Sequence, residues 1–227
     1  MIIKALLWKE FKSLTKNIKS KVVMGIGTII FIYLLLFVRL HTSDFSISVY
    51  RYNINYMTVI LGYLMFISNL RFWYEKNMNM LEILFIMPTK LYVIIIGKMI
   101  LPILISVSLS VIFYFLSTGI GWIVFKSSIF SFITLFEILL ISVVFQIFYS
   151  IINCYAMWCA SLAYAKVIQF ISVMLYMGSV FTMFVIPTNF SLYNSLGTWI
   201  VMAIIGVYAA ICYSRINKEK AMNTLSI

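Results

Sequence analysis

Long apolar runs, each closed off by charged or turn-forming residues, constrain this chain more than any other feature. Six can be drawn: Val22–Val38, Ile54–Leu70, Met99–Ser117, Ile129–Ile152, Val167–Ile186 and Leu196–Tyr213. Each approaches the roughly 20 residues that a helix needs to cross a bilayer core. The third can begin nearer Leu91, with Lys98 reaching back toward the headgroups. In lipid, backbone N–H and C=O groups must be bonded within the spanning structure, so long apolar runs of this kind are helices. The expected fold is therefore all-α: a polytopic membrane protein of six transmembrane helices forming one domain over residues 1–227. Pro102 would kink the third helix without ending it.

Composition agrees. Of the 227 residues, 64% are hydrophobic and only 10% charged, against about a quarter charged in soluble domains. A net charge of +11 might suggest a nucleic-acid partner in a soluble chain. Here the lysines stand at the ends of apolar runs, where they orient helices and meet anionic lipid. No nucleic-acid partner is expected.

The distribution of Lys and Arg fixes an orientation. With an inside N-terminus, 14 of the 17 basic residues fall on one side, leaving only Arg39, Arg51 and Lys126 outside. Both termini and the segment 71–98 are then cytoplasmic, and the compartment is the cell membrane. Residues 1–21 carry Ile3, Leu7, Phe11, Leu14 and Ile18 at helical spacing, with lysines mostly on the other side. They read as an interfacial helix anchored by Trp8, with Phe11 in the apolar stripe, Lys9 among the lysines of the other side and Glu10 beside the stripe. No small-residue cleavage site follows the first apolar run, so Val22–Val38 reads as a retained signal anchor.

The cytoplasmic segment 71–98 is far longer than a turn requires. Glu75, Asn79 and Glu82 share one helical face, Met78, Leu81, Leu84 and Phe85 another, and Pro88 follows as a stop. An amphipathic helix there either docks a partner or lies on the headgroups.

The chemistry that is missing narrows the function. The six acidic residues are scattered singly, and no H-E-x-x-H, G-x-S-x-G or phosphate-loop motif occurs. The chain is not expected to be an enzyme or to hydrolyse ATP itself. Cys154, Cys159 and Cys212 lie in or beside apolar segments and read as buried, inert thiols, and no metal site is supported. Glu137 is the one acidic residue well inside a span, where an ionisable group costs about 2.5–3.5 kcal/mol on insertion scales. It either serves substrate passage or is held by a neighbouring hydroxyl. Gln146, Asn153 and Gln169 read as interhelical hydrogen-bonding groups, and with Glu137 they are the intramembrane polar residues that a substrate path would use. Ala156/Ala160 and Ser161/Ala165 are small pairs suited to close packing.

Two stretches resemble the permease subunits of ABC type-2 transporters. Leu7-Trp8-Lys9-Glu10-Phe11 is similar to that family's surface helix before the first span. Glu75-Lys76 … Leu81-Glu82-Ile83-Leu84 … Pro88 … Gly97-Lys98 resembles its coupling segment, with Asn79-Met80 in place of the usual Gly-Thr and Phe85 in place of the second Leu. The resemblance implies that two six-span subunits, identical or related, pair in the bilayer. Each would dock a coupling helix on one of two separate cytoplasmic ATPase subunits that carry ATP and Mg. Glu75 and Glu82 would make the polar contacts, Asn79 would share their face, Leu81 and Leu84 would seat the helix, and Pro88 would set the turn into the third span. The cargo would be an amphipathic peptide, drug or lipid moving outward. Two other readings stay open: an integral-membrane enzyme acting on lipid, and an immunity or interaction protein that transports nothing.

Overall fold

The computed structural model describes residues 8, 12, 61, 62, 65, 90–126, 130–185 and 196–223. Every element among them is helical. In chain order these are α1 (Leu91–Phe125), α2 (Phe132–Trp158), α3 (Leu162–Val185), α4 (Leu196–Ser214) and α5 (Lys218–Asn223). Two are long and apolar enough to cross a membrane, over Leu91–Ile120 with mean hydropathy 2.4 and Phe132–Trp158 with 2.3. α3 and α4 coincide with the fifth and sixth expected spans and carry shorter apolar stretches, Ala163–Gly178 and Trp199–Ser214. The first expected span lies outside the described residues, and the second is met only at Leu61, Gly62 and Met65.

α1 differs most from the sequence expectation. It runs for 35 residues, about 50 Å at 1.5 Å per residue, beginning at Leu91, the earlier of the two expected starts, and ending eight residues past the expected Ser117. Pro102 sits inside it without ending it. The expected loop after Ser117 is helix as far as Phe125. Lys126 then stops α1 in the left-handed region at φ 54°, a conformation that costs a side-chain-bearing residue about 1–2 kcal/mol. Residues 91–98 of the expected cytoplasmic segment also belong to α1.

The helix ends follow from local chemistry. Ser131 is extended, and its hydroxyl accepts from the Thr134 N–H at 3.4 Å to cap α2. Trp158 ends α2, with the Cys159 N–H on the Tyr155 carbonyl at 2.9 Å. After a three-residue link, the Ser161 carbonyl accepts the first bond of α3, from Ala165 at 2.8 Å. Ala156 and Ala160 are therefore not on one helix, and Ser161 precedes α3, so neither small pair forms a packing stripe. Asn217 caps α5 through its side-chain oxygen and the Glu219 N–H at 3.2 Å.

α2 is the centre, packed against α1, α3 and α4. Its Ile138, Ile141, Phe145, Tyr149, Ile152 and Ala156 recur at three- and four-residue steps. They meet Ala165 and Ile168 of α3, Val201, Met202, Ile205, Ala209 and Cys212 of α4, Phe113 and Tyr114 of α1, and Leu61. Phe145 and Tyr149 stack at 5.5 Å. A second cluster joins Ile94, Ile95 and Met99 of α1 to Cys154, Met157 and Trp158 of α2, with Cys159 and Ala221 of α5. All three cysteines are buried and carry free thiols.

The second cluster and the Tyr114–Ser131 contact lie at opposite ends of the α1–α2 pair, so the two helices are antiparallel. Lys90, Lys98, Lys166, Arg215, Lys218 and Lys220 all fall toward the end that carries α5, and Lys126 falls at the other. We call these the basic end and the far end. At the far end Tyr114, Phe115, Phe130 and Phe132 form a ring cluster with centroids 4.8–6.4 Å apart.

Candidate functional site

The face that α1 and α2 turn toward each other is polar in an otherwise apolar bundle. Ser106 and Ser110 stand one turn apart on α1, and Ser142, Gln146 and Ser150 stand one turn apart on α2. All five are buried. The Ser110 hydroxyl donates to the Ser142 hydroxyl at 3.1 Å, and Ser142 donates to the Leu139 carbonyl at 3.1 Å. The Ser110–Ser142 bond sets the antiparallel register. One turn toward the basic end on each helix, Ser106 comes opposite Gln146, and the next turn brings Pro102 opposite Ser150. A further turn brings Lys98 to the level of Asn153 and Cys154. The same register sets Ile94 and Ile95 opposite Trp158 and Met157, which share their apolar cluster.

Lys98 is buried, at 2% exposure. The sequence reading lets it reach back to the headgroups. Instead its neighbours Ile95 and Met99 pack against the end of α2 and Ala221, and the ammonium stays inside the seam's basic end. A charge there is expensive unless paired, which separates this lysine from the surface lysines around it.

The expected polar residues divide. Gln146 and Asn153 are both buried and, seven residues apart, share the seam face of α2. Gln146 does not bond across helices as expected: its Nε2 donates to Ser150 Oγ on its own helix at 3.3 Å. The interhelical bond belongs to the two serines. Glu137 is buried at 6% exposure, but it precedes Ser142 by five residues and points about 140° away around α2. It also lies only five residues inside α2, about 8 Å from its start, and so nearer the far end than the sequence reading places it. Gln169 is half-buried on α3 and is not part of the α1–α2 face. No single cavity therefore gathers all four. Ser106, Ser110, Ser142, Ser150 and Lys98 are what the sequence reading missed. The four-residue spacing of polar side chains inside apolar runs was the available signal.

No protein-family model, curated protein or solved structure matches this chain.

Near the Ser110–Ser142 bond, the Ser106 hydroxyl and Gln146 Oε1 have no hydrogen-bond partner. Exchanging the amide oxygen and nitrogen of Gln146 moves the orphan to the other atom without removing it. Each such buried group costs about 1–3 kcal/mol unless something satisfies it. Trp8 and Lys12 are helical and exposed, one turn apart, as a surface helix requires. Lys9, Glu10 and Phe11, and the docking candidates Glu75, Asn79, Leu81, Glu82, Leu84 and Pro88, lie outside the described residues.

Proposed function

We propose that this chain is the permease subunit of an ATP-driven exporter of the ABC type-2 kind, crossing the cell membrane six times with its basic end and both termini in the cytoplasm. Two such subunits, identical or related, enclose the path of an amphipathic peptide, drug or lipid. Each receives its drive from one of two separate ATPase subunits that bind ATP and Mg.

One observation of placement carries this reading. The motif Glu75 … Leu81-Glu82-Ile83-Leu84 … Pro88 … Gly97-Lys98 runs directly into α1, and its last two residues occupy the second turn of that helix. The first turns of α1 pack against the end of α2 and against α5. A displacement delivered to residues 75–88 would therefore reach the α1–α2 seam through a rigid helix, with no flexible joint after Lys90. Glu75 and Glu82 supply the polar contact with the ATPase, with Asn79 on the same face. Leu81 and Leu84 seat the helix and Pro88 sets the turn. The positive-inside pattern supports the same orientation, because the basic end is where the coupling segment enters.

Purification of the chain from its native membrane in mild detergent tests this. The expected complex contains a phosphate-loop ATPase and hydrolyses MgATP. Recovery of the chain with lipid alone, from membranes in which it is fully folded, overturns the reading.

A further inference from the structure

The α1–α2 seam has the chemistry of a place that holds water inside the bundle. On the α1 face, Ser106 lies one turn from Ser110, and on the α2 face Gln146 lies one turn from Ser142. The Ser110–Ser142 bond at 3.1 Å holds those two faces together. Ser106 is fully buried and Gln146 is 1% exposed. Both leave a polar atom without a partner, Oγ on one and Oε1 on the other. They come opposite each other in the register, yet they do not bond to each other.

We infer that the α1–α2 seam holds a buried water between the Ser106 hydroxyl and the Gln146 side-chain amide. Water fits because it both donates and accepts. It can donate to Gln146 Oε1 and accept from Ser106, while Gln146 Nε2 keeps its bond to Ser150 Oγ. Buried waters in proteins satisfy orphaned polar pairs of this sort. An apolar ligand would leave both atoms unsatisfied, and a carboxylate would repel Oε1. Toward the basic end Lys98 and the apolar cluster of Ile94, Ile95, Met99 and Trp158 are buried and close over this pair. Toward the far end the Ser110–Ser142 bond closes it.

This inference goes beyond the transport reading by assigning a water to the polar seam of one subunit, and it needs no ATPase to be tested. The chain contains two glutamines, Gln146 and Gln169. Nitrogen-15 labelling at glutamine therefore gives two side-chain amide signals in the full chain reconstituted in lipid, and Gln169→Met assigns them. Transfer of magnetisation from water protons is then measured by solid-state NMR. The expected result is early transfer to Gln146. It falls several-fold in Ser106→Val, which fills the space and removes the hydroxyl, and persists in Ser106→Thr, which keeps it. A visible Gln146 signal that receives no water magnetisation overturns the inference, since the seam is then dry. So does transfer that is the same in Ser106→Val and in the unaltered chain, both with native helical content. A dry seam would leave ATPase association untouched. A chain that lacks an ATPase would leave the water in place.

Discussion

The Tyr114 hydroxyl bonds both sides of one peptide group pair at Ser131, donating to its carbonyl at 2.9 Å and accepting from its N–H at 3.0 Å. Ser131 is also the cap of α2. One phenol of α1 therefore fixes where its antiparallel neighbour begins, across a link of only a few residues. The same tyrosine belongs to the ring cluster and to the main apolar core, so the far end of the α1–α2 pair is held by polar and apolar contacts at once.

Tyr114→Phe keeps the ring and removes both bonds. The half-buried Ser131 N–H then loses the phenol oxygen while the Ser131 carbonyl keeps the Leu135 N–H at 3.1 Å, and the bundle is expected to be less stable by about 0.5–1.5 kcal/mol. Thermal unfolding in detergent, followed by circular dichroism, measures this. An unchanged midpoint would show that the hydroxyl contributes nothing to the junction.

The seam's own bond is expected to be weak. A double-mutant cycle of Ser110→Ala and Ser142→Ala should return a coupling of about 0.6 kcal/mol, the usual size for hydrogen bonds between membrane helices. A coupling of zero in reversible unfolding would remove this bond as the determinant of register.

Gly206 on α4 lies close to α2. A Cβ built there meets two atoms of the Phe148 ring at 3.1 Å. Gly206→Ala should push α4 off α2 and lower the unfolding midpoint, because overpacking costs about 1–3 kcal/mol. Phe148→Leu in the same chain should restore much of the loss. Gly178→Ala, inside α3 with open space around it, is the comparison and should gain about 0.8–1 kcal/mol from helix propensity rather than lose stability.

At the basic end, Cys159 Sγ donates to the Asn217 carbonyl at 3.7 Å, and Ala221 is buried against Trp158 and its neighbours. Ala221→Asp places a charge in that cluster and should lift α5 away. Cys159 should then react with a water-soluble maleimide, while Cys212, buried among α2 and α4, stays unmodified. Labelling of neither thiol in the Ala221→Asp chain would mean that α5 does not shield Cys159.

Glu82→Lys reverses the charge at the centre of the proposed docking face. The variant should insert normally, and its complex with the ATPase should hydrolyse ATP without moving cargo. Transport at the normal rate by a well-expressed Glu82→Lys chain would refute the coupling role.

Helix positions were legible in the sequence where composition alone decides them. The starts or ends of α2, α3 and α4 fall within a few residues of the apolar runs, because a run that must bond its own backbone in lipid has no alternative to a helix. The start of α1 at Leu91 was legible as an alternative to Met99, because the residues from Leu91 to Ile96 are apolar. Its end was not, since the helix continues past Ser117 to Phe125. Its first turns rest on Trp158 and Ala221, and its later turns carry the Tyr114 and Phe115 contacts. Gln146 and Asn153 were visible as polar groups in an apolar run. That they face Ser106 and Lys98 while Glu137 faces elsewhere depends on how α2 is rotated against α1.

The sequence by itself determined the helical form of the described apolar runs and the end of the described bundle at which its basic residues gather. These are local sums over neighbouring residues and need no partner element. Only the tertiary structure decided the pairing register, and with it the burial of Lys98 and the meeting of Ser106 with Gln146. Register is set by contacts between residues more than thirty positions apart, such as Ser110 and Ser142, and no local pattern encodes which turn of one helix lies against which turn of the other.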